Sequence, residues 1–272
     1  MQWRNVFARR GALALAVGER QVRDFRVVQE LSSSIEGMLS LFSMQVMDSV
    51  LSYQDELKVS GHVVEFGVYK GKSAALLSAH VTPPERLILV DVHKQFPDKT
   101  SDRMFVRPEF ISGKSESFGR TFADYQEFRS AVRFLHVDSS HTFKTTYAEM
   151  QLSDELLSPH GIVCMDDYTN LNYSQILPAI FKYLFTNRTN LTVFMVTDEK
   201  CYICRKEFFA LYAGFVLEKI LPALARRGNT AVSIARTDRD AEYKAFYVRA
   251  KASPDEGDRY GEEIYGHFYQ KP

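Results

Sequence analysis

The middle of the chain alternates short, almost wholly apolar runs with amphipathic runs, and this alternation restricts the fold more than any other feature. The second apolar run, from Leu87 to Val90, contains no polar residue, which is typical of a strand buried on both faces. Helices on both sides of a parallel sheet provide such burial. The sequence therefore predicts an α/β fold with a doubly wound, Rossmann-like and mostly parallel sheet.

Seven strands and six helical stretches are predicted in order along the chain. The strands are 62–66, 86–91, 109–112, 132–137, 161–165, 191–196 and 200–205, and the helices are 22–58, 72–80, 94–104, 116–130, 142–157 and 207–228. Only three residues separate the last two strands, so we expect them to form an antiparallel hairpin. The runs 231–235 and 245–249 are candidates for two more strands.

Three segments are expected: an N-terminal helical extension over 1–58, a core over 59–206, and a C-terminal helix and extension over 207–272. The apolar run near the start is too short for a signal peptide. The stretch 208–225 contains Glu218, Lys219 and Pro222, so it is a poor membrane span and a broken helix is predicted there. We expect a cytoplasmic protein with no membrane contact and a poorly ordered tail from residue 253.

The charge balance excludes some partners. Lysine plus arginine and aspartate plus glutamate each number 34, so the formal net charge is zero, which argues against a general nucleic-acid-binding protein. Three cysteines provide no disulfide framework and indicate a reducing compartment. Cys201 and Cys204 form a CxxC in a predicted strand, where they face opposite sides, so we expect ordinary strand cysteines rather than a zinc or redox site.

A glycine-bearing turn follows the first predicted strand. It reads Glu65-Phe66-Gly67-Val68-Tyr69-Lys70-Gly71-Lys72-Ser73 and continues into a helix. Glycines let the backbone approach a ligand, and the helix N-terminus offers free N–H groups to an anion. The spacing is neither GxGxxG nor a Walker loop, and an ordinary strand-to-helix turn is the alternative.

Polar residues also end the next two strands. Asp91 closes the second strand, where an acidic residue accepts hydrogen bonds from ribose hydroxyls, although a solvated loop aspartate is the alternative. Gly113 and Ser115 follow the third strand, beside the expected position of a base, and Ser115 also suits a helix N-cap. With the glycine turn, Asp91 indicates a nucleoside-containing cofactor.

Three carboxylates follow the fourth and fifth strands. Asp138 and the pair Asp166–Asp167 should converge, because adjacent parallel strands bring their carboxyl ends together. Carboxylates in one cleft repel unless they are protonated or neutralised, and a divalent cation such as Mg²⁺, Ca²⁺ or Mn²⁺ neutralises them. The alternative is that one aspartate caps a helix and another faces water. His141, one turn beyond Asp138, is a candidate general base.

Together these motifs resemble class I S-adenosylmethionine-dependent methyltransferases. The most similar branch carries V-E-x-G-x-x-x-G-x-S, then D-x-x-H, then a strand ending in D-D-Y, and includes metal-dependent O-methyltransferases of sugars and other small hydroxylated molecules. The resemblance covers roughly 60–206 and implies a seven-stranded sheet with a closing antiparallel hairpin. Ser139-Ser140 replaces the more usual Gly-Asp, and Pro159-His160-Gly161 replaces Pro-Gly-Gly.

The resemblance also implies a role for each motif residue. The methionine part of the cofactor is surrounded by Glu65, Gly67, Tyr69, Gly71 and Ser73, the ribose is held by Asp91, and the adenine lies near Gly113 and Ser115. The metal positions match Asp138, Asp166 and Asp167, and the catalytic base of some members matches His141. Asp138 counts also as a catalytic and cofactor-binding residue.

The expected function is S-adenosylmethionine-dependent O-methylation of a sugar, natural product or catechol-like diol, with Mg²⁺ or another divalent cation. A homodimer is expected, with the N-terminal helices over the cofactor cleft or in the dimer interface. One alternative is a nicotinamide-dependent oxidoreductase, which shares the glycine turn and Asp91 but needs GxGxxG. Another is a non-catalytic relative, or a metal-dependent hydroxylase, on the same scaffold.

Overall fold

A single nine-stranded sheet organises the computed structural model of the chain, which describes residues 20–236, 245–253 and 256. The strands are β1 (His62–Phe66), β2 (Leu87–Asp91), β3 (Glu109–Ser112), β4 (Val132–Val137), β5 (Leu157–Met165), β6 (Leu191–Val196), β7 (Cys201–Arg205), β8 (Val232–Arg236) and β9 (Phe246–Ala250). Their order across the sheet is β3-β2-β1-β4-β5-β7-β6-β9-β8.

The strand directions confirm the predicted α/β class. Strands β1 to β5 pair in parallel, and β7 is antiparallel to both β5 and β6, so the predicted hairpin is present. The two candidate strands extend the sheet: β9 pairs in parallel with β6, and β8 pairs antiparallel with β9. Strand β5 begins at Leu157, four residues before the predicted start.

Ten α-helices lie in the described residues. They are α1 (Phe25–Ser33), α2 (Leu41–Glu56), α3 (Lys72–Ser78), α4 (Asp98–Ser101), α5 (Phe118–Thr121), α6 (Tyr125–Phe128), α7 (Phe143–Leu156), α8 (Ile176–Thr186), α9 (Phe209–Glu218) and α10 (Ile220–Arg226). Short 3₁₀ turns occupy Ser115–Ser117, Leu171–Tyr173 and Lys206–Phe208.

Several helix predictions are wrong in extent. The single helix predicted over 22–58 is two helices, because Ser40 caps α2 by accepting a hydrogen bond from the Ser43 N–H at 3.1 Å. The stretches 94–104 and 116–130 contain only single turns. The break in 207–228 falls at Lys219, and Pro222 lies in the first turn of α10, where proline is tolerated. Helix α8 was not predicted.

Two hydrophobic cores cover the two faces of the sheet. Alternate side chains of β2 point to opposite faces, so Leu87 and Leu89 join one core while Ile88 and Val90 join the other. The first core contains α1, α2, α3, α9 and α10, and the second contains α7 and α8. The N-terminal helices therefore form part of the main core.

A buried charge cluster links α2 to the residues that follow α3. The His80 ring contacts Asp55 at 2.8 Å through Nδ1 and Asp48 at 2.9 Å through Nε2. Arg227 pairs with Asp48, and Arg133 pairs with Asp55. Burial by itself would lower the pKa of His80, but the hydrogen bonds with the two aspartates outweigh it and raise the pKa to about 9.

None of the described helices is, alone, long and apolar enough to cross a bilayer. The pair 206–218 and 220–226, bent by 52°, passes the same test of length and composition only when both helices are counted together.

Candidate active site

A row of backbone hydrogen bonds fixes four of the predicted site residues at the carboxyl edge of the sheet. In each case the N–H of the residue after a strand donates to a carbonyl at the end of the neighbouring strand. The bonds are Gly113 to Asp91 at 2.9 Å, Gly67 to Val90 at 2.9 Å, Asp138 to Phe66 at 2.7 Å and Asp166 to Val137 at 2.9 Å. The positions of these residues therefore depend on the sheet ladder.

The turn after β1 requires glycine at its first position. Gly67 has φ of 82°, and a Cβ added there would lie 1.7 Å from the carbonyl oxygen of Asp138. The Asp91 carboxylate then holds the turn from the next strand, because its Oδ2 accepts the N–H groups of Val68 at 2.8 Å and Tyr69 at 3.0 Å. The end of β2 thus shapes the loop after β1.

Two adjoining cavities lie above this edge. The glycine cavity, of about 450 Å³, contains Gly67, Asp91, Gly113 and Ser115 in its wall. The carboxylate cavity, of about 440 Å³, is lined by Ser73, His136, Asp166, Asp167, Tyr173 and Lys200 among others. Both cavities are bordered by Met38, Val68, Tyr69, Asp138 and His141.

All the predicted site residues line one of these cavities except Glu65 and Gly71. Glu65 is fully buried behind the carboxylate cavity, where its Oε1 lies 2.8 Å from Nδ1 of His136. Burial raises the pKa of Glu65. Gly71, with φ of 87°, precedes α3. Glu65 and Gly71 therefore lie behind the cavity walls and do not line either cavity.

Two of the three predicted metal positions meet around His141. Its Nε2 lies 3.1 Å from Asp138 Oδ1 and 3.0 Å from Asp167 Oδ2, and its ring stacks on Tyr173 with centroids 4.1 Å apart. Burial opposes ionisation of this imidazole, but hydrogen bonds with the two carboxylates raise its pKa to about 9. The protonated histidine between them therefore offsets one of their two negative charges.

Asp166 has different partners. Its Oδ2 forms an ion pair with Nζ of Lys200 and lies 3.7 Å from Nε2 of His136. Burial by itself would raise the pKa of Asp166, but Lys200 and His136 hold it well below its usual range. Burial likewise opposes the charge on His136, but the nearby carboxylates of Asp166 and Glu65 raise its pKa to about 9. The chain therefore compensates all three carboxylates itself, so a bound cation is not required for them to converge.

Lys200 and His136 lie outside the set of residues that the motifs identify. A sequence signal for Lys200 exists nevertheless. In the antiparallel pair of β5 and β7, Met165 lies opposite Cys201, which places the next residue of one strand opposite the preceding residue of the other. Asp166 therefore has Lys200 as its neighbour, and a correct register for the hairpin predicts the ion pair.

The backbone is strained at three predicted site residues. Five non-glycine residues among those described have positive φ, and three of them are Tyr69 (49°), His141 (56°) and Asp167 (55°). Left-handed backbone is unfavourable for such side chains and is concentrated at functional sites. The strain marks the junction of the two cavities as the candidate active site.

Two further features of the site were not predicted. Glu149 of α7 accepts a hydrogen bond from Ser139 and also bonds Ser115, and burial raises its pKa to about 7. It thus connects two loops of the glycine cavity. The loop between α1 and α2 contributes the wall residues 36–39 of the carboxylate cavity, and Met38 in that loop is 89% exposed. The N-terminal helices therefore reach the cleft.

The site meets the requirements of a small divalent cation only in part. Asp138, His141 and Asp167 each offer one ligand atom, and these atoms lie within 4.8 Å of one another. Carboxylate oxygens suit Mg²⁺ or Mn²⁺, and an imidazole is also accepted by Mn²⁺. Asp166 is outside this group.

Comparisons with known proteins give one matching family model and several solved structures with a similar fold. A family model described as a methyltransferase domain matches residues 64–168, which include both cavities' strand-end motifs. No curated protein sequence matches the chain.

Among solved structures, MycE methyltransferase of the mycinamycin biosynthetic pathway, in complex with Mg and S-adenosylhomocysteine, is similar with a TM-score of 0.50 and 15% identity over 68% of this chain and 55% of that chain. CalS11, a TDP-rhamnose 3'-O-methyltransferase of calicheamicin biosynthesis, has a TM-score of 0.47 and 18% identity, over 66% of this chain and 92% of that chain. The O-methyltransferase TomG of Streptomyces achromogenes, in complex with S-adenosylmethionine, has a TM-score of 0.48 and 12% identity, over 70% of this chain and 92% of that chain. Residues 64–168 therefore match a methyltransferase domain, as the motifs predicted, and the chain shares its fold with MycE.

Proposed function

We propose that this protein transfers the methyl group of S-adenosylmethionine to a hydroxyl of a small molecule such as a sugar, a natural product or a catechol-like diol. The observation that carries the proposal is the position of His141. Its ring lies where the glycine cavity and the carboxylate cavity meet, between two carboxylates that orient it. A cofactor in the first cavity and an acceptor in the second would meet at this ring.

The glycine cavity is the proposed cofactor site. Asp91 uses Oδ2 for the turn after β1, while Oδ1, which accepts the His93 N–H at 3.4 Å, has a further lone pair for ribose hydroxyls. Gly113 borders open space, since the nearest atom to an added Cβ is 3.9 Å away, and this space suits an adenine ring. Tyr69 and Ser73 would contact the methionine part. S-adenosylmethionine supplies a methyl group on a positively charged sulfur.

The carboxylate cavity is the proposed acceptor site. His141 is the proposed general base for the acceptor hydroxyl, since a neutral alcohol is a poor nucleophile. Because the two carboxylates raise the pKa of His141 to about 9, Nε2 accepts a proton only in the neutral form of the ring, and the rate of transfer should rise with pH as that form becomes populated. Asp138 and Asp167 orient the imidazole and are the proposed holders of a divalent cation, Mg²⁺ or another, which supplies positive charge that favours the ionised acceptor. Tyr173 and Met38 also line this cavity. The expected homodimer and cytoplasmic location remain predictions.

The test measures formation of S-adenosylhomocysteine with a panel of polyhydroxylated acceptors, with Mg²⁺ and with a chelator. We expect His141→Ala to lower kcat by about 100-fold or more, in the range of general base catalysis, while the affinity for S-adenosylmethionine stays close to that of the wild type. Asp98→Asn, at an exposed residue that pairs with Lys94, is the control.

Full turnover of His141→Ala would refute the proposed role of that residue. Binding of a nicotinamide dinucleotide in place of S-adenosylmethionine would favour the oxidoreductase. Cofactor binding with no transfer to any acceptor would favour the non-catalytic relative. Calorimetric titration with each cofactor separates these outcomes before an acceptor is known.

A further inference from the structure

A buried lysine lies at the base of the carboxylate cavity. The Lys200 side chain is only 1% exposed, yet it lines the cavity, and its Nζ pairs with Asp166. An ammonium group out of contact with water is costly unless it is paired, so this lysine depends on Asp166 for its charge. The hairpin between β6 and β7 provides the position, because Lys200 is the last residue before β7.

Both oxygens of Asp166 are used by the chain. Oδ2 forms the ion pair with Nζ of Lys200 and lies 3.7 Å from Nε2 of His136, while Oδ1 accepts the backbone N–H of Asp167 at 2.8 Å. The ammonium group of Lys200 lies directly against Oδ2, and its positive charge repels a cation from that oxygen.

The other two carboxylates differ from Asp166. Asp138 and Asp167 face His141, whose contacts are lost when the ring rotates. Asp167 also accepts a hydrogen bond on Oδ1 from Asn170 at 2.8 Å, which leaves Oδ2 directed towards the histidine. Asp166 is therefore held by a buried positive charge, whereas rotation of the His141 ring alone makes Asp138 and Asp167 available to a cation.

We infer that Lys200 is a built-in counter-ion that removes Asp166 from the ligand set and so weakens divalent cation binding at this site. The inference rests on the proposed cation site of Asp138 and Asp167. The affinity of a site for divalent cations depends on the number and charge of its carboxylate ligands. Lys200 is thus a positioning residue that lowers this affinity, and its removal leaves the Asp166 carboxylate without its counter-ion beside the group of Asp138, His141 and Asp167.

The experiment measures Mn²⁺ binding at pH 7.5, by electron paramagnetic resonance and by calorimetry, without acceptor or turnover. Lys200→Met keeps the aliphatic packing and removes the charge. We expect the affinity for Mn²⁺ to rise by about tenfold or more, since one carboxylate is added and one positive charge is lost. Lys70→Met is the matched control, because Lys70 lines the same cavity but pairs with Glu36 at its mouth.

A double variant identifies the ligand. In Lys200→Met with Asp166→Asn the gain should disappear, because the freed carboxylate is absent. If the double variant keeps the gain, or if Lys70→Met produces it equally, the inference is overturned. Unchanged or weaker binding by Lys200→Met, with the wild type binding Mn²⁺, also overturns it while the proposed cation site stands.

Failure of the proposed cation site is a separate result. If neither the wild type nor Lys200→Met binds Mn²⁺ at millimolar concentration, both the cation site and the inference are overturned, whereas methyl transfer in the presence of a chelator still supports the transferase. Lys200→Gln is a second variant in case Lys200→Met does not fold, because glutamine removes the charge but still donates a hydrogen bond to Asp166. We expect it to show a smaller gain than Lys200→Met, and no gain at all overturns the inference.

Discussion

Asp91 offers the sharpest test of the proposal that the glycine cavity binds the cofactor. Its Oδ2 accepts two backbone hydrogen bonds, from Val68 and Tyr69, so Asp91→Ala leaves two N–H groups of the turn without that acceptor. Hydrogen bonds to a charged group contribute about 1.5–3 kcal/mol each when buried, but water reaches this site, so about 1 kcal/mol each is a realistic value. The sum of about 2 kcal/mol predicts a loss of roughly 30-fold in affinity for S-adenosylmethionine, before any ribose contact is counted.

Calorimetric titration with S-adenosylmethionine and with S-adenosylhomocysteine measures this loss. Asp91→Asn separates the two roles of the side chain, because an amide oxygen still accepts both N–H groups while the second carboxylate oxygen is replaced. We expect its loss to be clearly smaller than that of Asp91→Ala. Asp98→Ala, at an exposed carboxylate nearby in sequence, should bind as the wild type does. Wild-type affinity in Asp91→Ala would refute the reasoning about both the turn and the ribose.

Three further predictions concern stability and turnover. The pKa of His80 is raised to about 9 in the folded protein, so its stabilising contribution is fully present below pH 6.5 and is lost as pH rises through 9. In urea unfolding over that range, the free energy of unfolding of the wild type should fall by roughly 3 kcal/mol more than that of His80→Gln. Equal losses in the two proteins would contradict this. Gly67→Ala, whose Cβ would lie 1.7 Å from a backbone oxygen, should lower the melting temperature by at least about 5 °C, whereas Gly214→Ala, with no atom within 4 Å, should not lower it. Tyr173→Ala removes the ring stacked on His141 and should lower kcat by about tenfold with cofactor affinity unchanged; an equal loss of cofactor affinity would point to unfolding of the cleft instead.

Strands were easier to predict from the sequence than helices, for a physical reason. Strands β1, β2 and β4 are almost wholly buried, and each is a short, mostly apolar run that ends at or just before a polar residue or a glycine. The helices depend on local caps and on neighbours. Ser40 divides the N-terminal helical stretch by capping α2, and the apolar periodicity on either side gives no sign of that break. Helix α8 was missed because its sequence, ILPAIFKYLFT, is apolar on most sides and contains a proline.

The motifs located the site but not its charge balance. Strand-end positions follow from topology, so Asp138, Asp166 and Asp167 were expected to converge, and the structure brings the backbone positions together. The partners of these carboxylates depend on side-chain packing and on the register of the β5–β7 pair. Lys200 comes from a distant hairpin, and His136 comes from the interior of β4, where a buried strand histidine carries no sequence signature of its role.

The ladder of N–H donors along the carboxyl edge of the sheet separates chemistry from architecture. Each key residue is anchored through its main chain, so a change of side chain at Asp138 or Asp166 leaves the local frame in place. Substrate preference in such a cleft is then free to change by single substitutions without rebuilding the scaffold. Crystal structures of neutral variants at these two positions should superimpose on the parent backbone, which makes this edge a suitable starting point for redesigning the proposed acceptor site.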